Sequence, residues 1–248
     1  MERHCGMRFE KGQGAFFEMR VRKLCQARTL SPAELLARVD RGDPELTLRL
    51  AEAASTGYTE LFREDEMFGS LERLVLPSLP AEGPLRLWSA ASATGEEVYS
   101  LAICARESLG ADASRINILG TDINDRSIGT AERGLYDAER LAGMTAARRA
   151  YFEEIFPGKF RVREAVRRLC TFRRFNLTQS DWPFERRFHV IFLRNVLYYF
   201  DEKVRAQVVE RCYDATLPGG WLVMSYTEPT LGLETRWRPC EPALLRKA

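Results

Sequence analysis

The chain has 248 residues, of which 45% are hydrophobic and 29% charged, and its formal net charge is +2. This charge is too small to indicate nucleic-acid binding, no apolar run is long enough to span a bilayer, and residues 1–14 lack the apolar core of a signal peptide. We therefore expect a cytoplasmic protein without membrane insertion, a nucleic-acid partner or a strong signal for oligomerisation, long enough for one large α/β domain and a small appendage.

The cysteines are scattered along the chain rather than grouped. None forms a CxxC pair, and only His4 and His189 are available as imidazole ligands, so we expect no metal site. Scattered cysteines with apolar neighbours are typical of core residues in a reducing compartment. The six positions are Cys5, Cys25, Cys104, Cys170, Cys212 and Cys240.

Residues 1–80 are predicted to form a small helical subdomain. Ser31-Pro32-Ala33-Glu34 has the pattern of a helix start, with serine as the N-cap, proline at the first position and glutamate at the third. Asp43-Pro44-Glu45 indicates another start. Helix-breaking residues at 79–84 (LPAEGP) place the boundary near residue 80, which leaves 81–248 as the second domain.

Residues 85–103 predict the first βα unit of a doubly wound sheet. An apolar strand over 85–89 is followed by a loop of small residues over 90–95, and a helix begins at Glu96 and continues past Ile103. Small residues in such a loop let a ligand approach the backbone at the carboxyl end of the sheet.

The remaining pattern alternates strands and helices, which predicts a largely parallel α/β sheet. Charged, helical sequence is expected over 135–156, and residues 159–172 suit either a short hairpin or a helix that leads into a strand. The other predicted elements are strands over 116–121, 187–192 and 221–226, helices over 125–133 and 201–217, and a turn over 218–220.

Polar side chains stand at the ends of three predicted strands. Asp122 follows the second strand and suits either bonding to both hydroxyls of a ribose or capping of the helix that starts near Asn124. Of the adjacent acids Glu96 and Glu97, we expect one to act only as a favourable charge at a helix N-terminus. Arg194-Asn195-Val196 follows a later strand, where amide and backbone groups can hold part of a cofactor.

The loop before Glu96 excludes two classes of cofactor. It has neither the GxGxxG pattern of dinucleotide-binding proteins nor the GxxxxGK[ST] pattern of phosphate loops. Two acids at a helix start disfavour a pyrophosphate but suit a cationic or hydroxyl-rich ligand. S-adenosylmethionine has a ribose, an amino group and a sulfonium, and no phosphate. We therefore predict a Rossmann-like methyltransferase sheet that binds S-adenosylmethionine.

Five segments in register resemble the chemotaxis receptor glutamate O-methyltransferases, the CheR family. They lie within residues 59–230: WSAASATGEEVYSLAI, LGTDINDRSIGTAERGLY, FNLTQSDWPF, FHVIFLRNVLYYFD and LPGGWLVMSYTEP. The resemblance implies a Rossmann-like, S-adenosylmethionine-dependent enzyme that methylates glutamate side chains of a chemoreceptor-type protein and releases S-adenosylhomocysteine. It also implies a basic N-terminal face toward the receptor; the alternative is a solvated helix surface. The residues concerned are Arg20, Arg22, Lys23 and Arg28.

The resemblance also implies which residues hold the methionine and ribose portions of the cofactor. Thr59 and Arg63 would contact the methionine end, Glu96 its amino group and Asp122 the ribose. Arg63 or Arg194 would orient the substrate carboxylate, with a structural ion pair as the alternative role of Arg194. An Asp122→Ala variant is expected to lose more than about tenfold in cofactor affinity with little loss of folding.

The remaining implied site residues come from the later segments. Asn176 and Leu177 would line the adenine pocket. Asn195 and Val196 would close the site beside the sulfonium, and Tyr199 matches a family tyrosine close to that position.

The chain departs from the family pattern at several positions. Gly57-Tyr58-Thr59 stands where the family has Asn-Glu-Thr, Val98 replaces a proline, and Ser225-Tyr226-Thr227-Glu228 replaces Gly-His-Ser-Glu. The segment between Phe156 and Phe172, which in some members carries a small β-subdomain that tethers a receptor peptide, is short. Two alternatives follow: a methyltransferase of the same fold that acts on another protein or a small molecule, and a non-catalytic S-adenosylmethionine-binding signalling module.

Overall fold

The computed structural model describes residues 14–54, 59–228 and 235–248, so Cys5, His4, Gly57 and Tyr58 lie outside the described residues. Three N-terminal helices are Gly14–Arg28 (α1), Pro32–Asp40 (α2) and Pro44–Ala54 (α3). The predicted capping box of α2 is confirmed, because the Ser31 hydroxyl accepts the Glu34 N–H at 3.2 Å and the Glu34 carboxylate accepts the Ser31 N–H at 2.8 Å.

The helical N-terminal region packs in two parts. Side chains of α1 to α3, among them Cys25, Leu35 and Leu50, form a hydrophobic cluster of their own. Helix Asp65–Ser70 (α4) continues through a π turn and a short 3-10 turn to Ser78, and its apolar side chains join the cluster that fills one face of the sheet. The domain division near residue 80 stays a prediction, and the packing places 61–76 with the sheet core.

A mixed seven-stranded sheet forms the centre of the molecule, in the order β6-β2-β1-β7-β8-β10-β9. Its first five strands in this order pair in parallel, and β10 and β9 are antiparallel additions at one edge. The predicted α/β class is therefore confirmed. The strands are Leu85–Ala90 (β1), Ile116–Asp122 (β2), Cys170–Arg174 (β6), Phe188–Leu193 (β7), Thr216–Met224 (β8), Arg238–Glu241 (β9) and Leu244–Arg246 (β10).

Helices cover both faces of this sheet, because alternate side chains of its strands enter two separate clusters. Leu87 and Val190 pack in the cluster that contains helices Glu96–Leu109 (α5) and Asp125–Arg133 (α6). Trp88 and Ile191 instead pack in the second cluster, with side chains of the last long helix, Glu202–Ala215. The helices predicted at 96, 125 and 201 are thus confirmed.

The strand order reverses beside β1, which pairs with β2 on one side and with β7 on the other. Strands β2 and β6 lie outward in one direction, and β8 in the other. Such a reversal opens a crevice at the carboxyl ends of the two strands that flank it, and this is where open α/β sheets bind ligands. The fold therefore places a ligand crevice where β1 and β7 end.

The prediction of helical sequence over 135–156 is wrong in part. A separate antiparallel sheet in the order β3-β5-β4 lies within residues 135–162, and the segment between β3 and β4 contains only short helical turns. β5 alternates charged and apolar residues (KFRV), a period that suits a half-exposed strand better than a helix. The strands of this sheet are Leu135–Asp137 (β3), Phe152–Phe156 (β4) and Lys159–Val162 (β5).

Residues 159–172 contain both of the predicted structures, first part of a hairpin and then a helix that leads into a strand. β4 and β5 form a hairpin around Gly158, whose φ is +73°, and the one-turn helix Glu164–Arg167 then leads into β6. A small β-sheet is therefore present although the segment after Phe156 is short.

The end of the chain corrects two further predictions. The turn predicted at 218–220 lies inside β8, which pairs with β7 from Thr216 onward through an irregularity that absorbs Gly219 at φ +73°. β8 also ends at Met224, two residues earlier than predicted, and strands β9 and β10 were not predicted.

No described helix has the length and apolar character needed to cross a bilayer. Within the described residues, the cysteines at 25, 104, 170, 212 and 240 are free thiols. The same part of the chain shows no group of three or more His, Cys, Asp or Glu side chains placed to hold a metal ion.

Candidate active site

A polar cleft lies where β1 and β7 end, at the reversal of strand order. It brings together Thr59 and Arg63 from the segment before α4 with the small-residue loop after β1 and with Asn195 after β7. Three of the predicted site residues therefore meet in one cleft. Its lining also includes Ala91, Ser92, Ala93, Glu97 and Arg194.

The backbone around this cleft is unusually strained. Five non-glycine residues beside it adopt left-handed φ angles: Phe62 at +56°, Glu64 at +57°, Ala91 at +68°, Ala93 at +46° and Asn195 at +55°. Side chains other than glycine rarely take such angles, and in folded proteins they concentrate at ligand sites, where the surrounding structure enforces them. The strain is shared by all three segments that form the cleft.

Asp122 ends β2 and is held rigidly at the edge of the loop after β1. Its Oδ2 accepts the N–H of Ala93 at 2.9 Å, and its Oδ1 accepts the N–H of Asn124 at 2.8 Å. Burial raises the pKa of this carboxyl. The capping alternative is wrong, because Asn124 is the N-cap of α6 and accepts the N–H groups of Arg126 and Ser127.

Glu96 and Glu97 point to different surroundings. Glu96 is 1% exposed, accepts the Thr94 hydroxyl at 2.6 Å and lies 3.5 Å from Arg140 Nη1, and burial raises its pKa. Glu97 lines the cleft, where its Oε1 accepts the Ser89 hydroxyl at 2.7 Å. The expectation that Glu96 meets the cofactor stays a prediction, and the geometry gives Glu97 the position nearer the cleft.

Arg194, directly after β7, contacts both the start of α5 and the segment before α4. Its Nη1 donates to Glu97 Oε2 at 3.0 Å, and its Nη2 donates to the backbone oxygen of Arg63 at 2.7 Å and lies 3.2 Å from Glu64 Oε2. Only 1% of the Arg194 side chain is exposed. The structural ion pair considered for this arginine is therefore confirmed, and the pair also fixes the backbone of Arg63.

Arg140 is a contributor that the sequence did not reveal. It follows β3, and its Nη1 donates to the backbone oxygen of Thr59 at 2.5 Å while lying 3.5 Å from Glu96 Oε1. The contact with Thr59 spans 81 positions of sequence, and no local pattern around Arg140 signals it.

The turn after β7 is tied to the end of β8. Asn195 Nδ2 donates to Ser225 Oγ at 3.0 Å, and its backbone N–H donates to Glu228 Oε2 at 2.6 Å. Tyr199 is buried in the same turn, with its hydroxyl 3.3 Å from that of Tyr198. In the sequence, Ser225 stands where the family has glycine and Glu228 coincides with the family's glutamate, and neither was predicted as a site residue.

Asn176 and Leu177 lie one strand beyond Asp122, after β6. Asn176 Oδ1 accepts the N–H and the hydroxyl of Thr178, each at 3.0 Å, and Leu177 is buried. The preceding residue, Phe175, donates its N–H to the backbone oxygen of Asp122 at 2.9 Å. The structure thus brings this pair to the Asp122 end of the crevice, and their role stays a prediction.

The cleft has the donors and acceptors expected for S-adenosylmethionine. Ser92 Oγ and Arg194 Nε are buried and have no protein hydrogen-bond partner among the described residues. Buried polar atoms are nearly always satisfied, so a polar ligand in this cleft would complete them. The loop has carboxylates nearby and no glycine-rich cradle for phosphate, which fits a cationic nucleoside.

Comparison with known proteins identifies the family. Residues 57–242 match the family described as "CheR methyltransferase, SAM binding domain". The chain belongs to the CheR methyltransferase family. The resemblance of the five segments is thereby confirmed, and S-adenosylmethionine is the cofactor of this CheR family member.

Individual CheR relatives cover most of the chain. It is 36% identical over 211 residues to chemotaxis protein methyltransferase 2 of Pseudomonas aeruginosa, an alignment of 84% of this chain and 75% of the relative. It is 30% identical over 262 residues to chemotaxis protein methyltransferase Cher2 of Pseudomonas putida, with 100% and 94% covered. Among solved structures, the N-methyltransferase NodS of Bradyrhizobium japonicum matches at 18% identity and a TM-score of 0.38, over 65% of this chain and 60% of that one.

Proposed function

We propose that this chain transfers the methyl group of S-adenosylmethionine to glutamate side chains of a chemoreceptor-type protein in the cytoplasm. The observation that carries the proposal is the meeting of Thr59, Arg63 and Asn195 in one strained cleft at the reversal of strand order. The names of its relatives, which are chemotaxis protein methyltransferases, support the same substrate class.

The reaction needs alignment more than acid–base chemistry. A glutamate side chain has a pKa of about 4.3, so the attacking carboxylate is already ionised at neutral pH and needs no general base. S-adenosylmethionine supplies a methyl group on a positively charged sulfur. The protein has to hold the two groups in line, and orientation of this kind lowers a barrier by as much as about 7–11 kcal/mol.

Arg63 is the residue that we assign to the substrate carboxylate. Arg194 is enclosed by Glu64 and Glu97, so its charge is already compensated. Arg63 lines the cleft, and its backbone is held by Arg194. A carboxylate that leaves water requires such a charged donor. Tyr199, in the turn after β7, is assigned to the same end of the site.

The cofactor is assigned to the rest of the cleft. Asp122 would accept the ribose hydroxyls, because both of its oxygens are already fixed by backbone N–H groups and keep further lone pairs. Glu97 replaces Glu96 as the acid that we assign to the amino group. The remaining assigned residues are Thr59, Asn176, Leu177, Asn195 and Val196.

Part of the positive charge on the N-terminal face is already paired with acidic side chains. Arg22 pairs with Glu18 at 2.7 Å, and Arg28 pairs with Glu45 across helices, so part of this positive charge is compensated on the surface. An acidic receptor helix would have to compete with these pairs.

A transfer assay with a tritiated methyl donor tests the proposal. Receptor-containing membrane fractions are incubated with the purified protein and then treated with mild base, which releases methyl esters as volatile methanol. We expect base-labile label with the wild type and with Asp112→Asn, whose exposed carboxylate lies outside the cleft, and a strong loss with Asp122→Asn. Base-stable label would favour another methyl acceptor. Tight binding of S-adenosylhomocysteine with no transfer to any cell fraction would favour a non-catalytic module.

A further inference from the structure

The turn 195–199 after β7 carries three of the assigned site residues, Asn195, Val196 and Tyr199. Its first residue has a left-handed φ of +55°, which an asparagine adopts only at some cost. Such a conformation persists when contacts from outside the turn enforce it. At this turn, the contacts come from the loop after β8.

Glu228 makes those contacts with a single carboxylate. Its Oε2 accepts the N–H of Asn195 at 2.6 Å, and its Oε1 accepts the N–H of Leu197 at 2.6 Å and lies 3.4 Å from the N–H of Tyr198. The residue is 5% exposed. Successive backbone N–H groups around one anion form a concave nest that stabilises a tight turn.

A second contact from the same loop holds the side chain of Asn195. Ser225 Oγ accepts from Asn195 Nδ2 at 3.0 Å and donates to Glu64 Oε1 at 2.9 Å. The loop after β8 therefore fixes both the backbone and the amide of Asn195, and it connects them to the segment that carries Arg63.

We propose that Glu228 is a positioning residue for methyl transfer, because its carboxylate sets the conformation of the turn that presents Asn195, Val196 and Tyr199 to the cofactor and substrate. Glu228 is not among the residues that line the cleft. The transfer readout rests on the proposed function, whereas the cofactor-binding readout requires only that the protein bind S-adenosylhomocysteine.

Glu228→Gln is the variant that tests this role. The amide keeps the size of the side chain but replaces one acceptor oxygen with a donor that faces a backbone N–H. Glu82→Gln, on the exposed link before β1, is the matched control. Calorimetric titration with S-adenosylhomocysteine at pH 8 should show a loss of about tenfold or more in affinity for Glu228→Gln and none for the control.

Steady-state kinetics distinguish a positioning role of Glu228 from a general loss of folded protein. At saturating S-adenosylmethionine, we expect a lower kcat for Glu228→Gln while the KM for the receptor substrate stays within about twofold. Wild-type affinity together with wild-type kcat would overturn the proposal. So would a loss of affinity that only matches the fraction of unfolded protein seen by circular dichroism.

If Glu228→Gln does not fold, amide hydrogen exchange of the wild type tests the same role. The amides of Asn195 and Leu197 should exchange as slowly as those of β7, and exchange at the rate of an exposed loop would contradict the role of Glu228. If the wild type binds S-adenosylhomocysteine but methylates no receptor, the proposed function fails while the affinity comparison still decides the role of Glu228.

Discussion

Arg194 and Glu97 form a nearly enclosed ion pair, with 3.0 Å between Arg194 Nη1 and Glu97 Oε2 and only 1% of the arginine side chain exposed. The same guanidinium lies 3.2 Å from Glu64. Removal of water from charged groups is costly, and their mutual attraction offsets that cost only while all partners are present. The pair thus joins the start of α5, the segment before α4 and the end of β7.

Loss of this arginine should destabilise the protein strongly. We expect Arg194→Met to lower the free energy of unfolding by about 3–5 kcal/mol, because it leaves two carboxylates without their charged partner. Urea unfolding measures the change. The double variant Arg194→Met/Glu97→Gln should recover part of it, and Arg246→Met, at an exposed position, is the control. A cost below about 1 kcal/mol would mean that the network is as weak as a surface pair.

Asp122→Asn should reduce the affinity for S-adenosylhomocysteine by more than about tenfold, since the charge-assisted bonds to the ribose hydroxyls are lost. The structure makes alanine a poorer test than the sequence suggested. Asp122→Ala would leave the N–H groups of Ala93 and Asn124 buried without an acceptor, each at a cost of about 1–3 kcal/mol. Calorimetry and thermal unfolding together separate the two effects, with Asp112→Asn as the control. Wild-type affinity in Asp122→Asn would mean that this carboxylate only organises the loop.

The two adjacent acids should behave differently in the same assay. Glu97→Gln should weaken cofactor binding by about fivefold or more, because Glu97 lines the cleft, whereas Glu96→Gln should stay within about twofold of the wild type. Glu96 is enclosed between Thr94 and Arg140 and does not line the cleft, so its replacement leaves the cleft lining unchanged. A larger loss of affinity in Glu96→Gln than in Glu97→Gln would mean that Glu96 is the acid that contacts the cofactor.

Glu228 should make stability depend on pH. Burial raises the pKa of Glu228 from an ordinary 4.5 to about 7, so the folded protein binds the proton more tightly than the unfolded chain does. This contribution, about 3 kcal/mol, is fully present below about pH 4.5 and is lost as the pH rises through about 7.

The stability difference between the wild type and Glu228→Gln should therefore fall by about 3 kcal/mol between pH 4.5 and pH 8. Urea unfolding at several pH values measures this difference. The pKa values of Glu96 and Asp122 are also raised, but both proteins contain these residues, so their contributions to the pH dependence cancel in the comparison. A difference that does not change with pH would contradict the assigned titration.

The sequence predicts β1, β2 and β7 well because these strands are rich in buried apolar residues. β1 and β2 were each predicted to within one residue of their observed ends. The small sheet of β3, β4 and β5 was predicted only in part, as one alternative for residues 159–172. Its strands are short and partly charged, and residues that favour helices lie between them, so β3 and β4 carry no clear strand period.

Site residues that directly follow a strand could be predicted from the sequence. Contacts between segments that are distant in the sequence could not. Asp122 and Asn195 stand at strand ends, so their positions follow from the topology. The contact of Arg140 with Thr59 and that of Glu228 with Asn195 depend on tertiary packing between distant segments. No local pattern encodes such a pairing, and only the folded chain reveals it.

Titration of the purified wild type with S-adenosylhomocysteine, read by calorimetry and by hydrogen exchange, is the decisive experiment on whether the ends of β1, β2 and β7 form the cofactor site. We expect binding of one molecule per chain, with slower exchange in residues 91–95, 122–124 and 194–197. Absence of binding, or protection confined to segments away from the ends of β1, β2 and β7, would contradict this expectation.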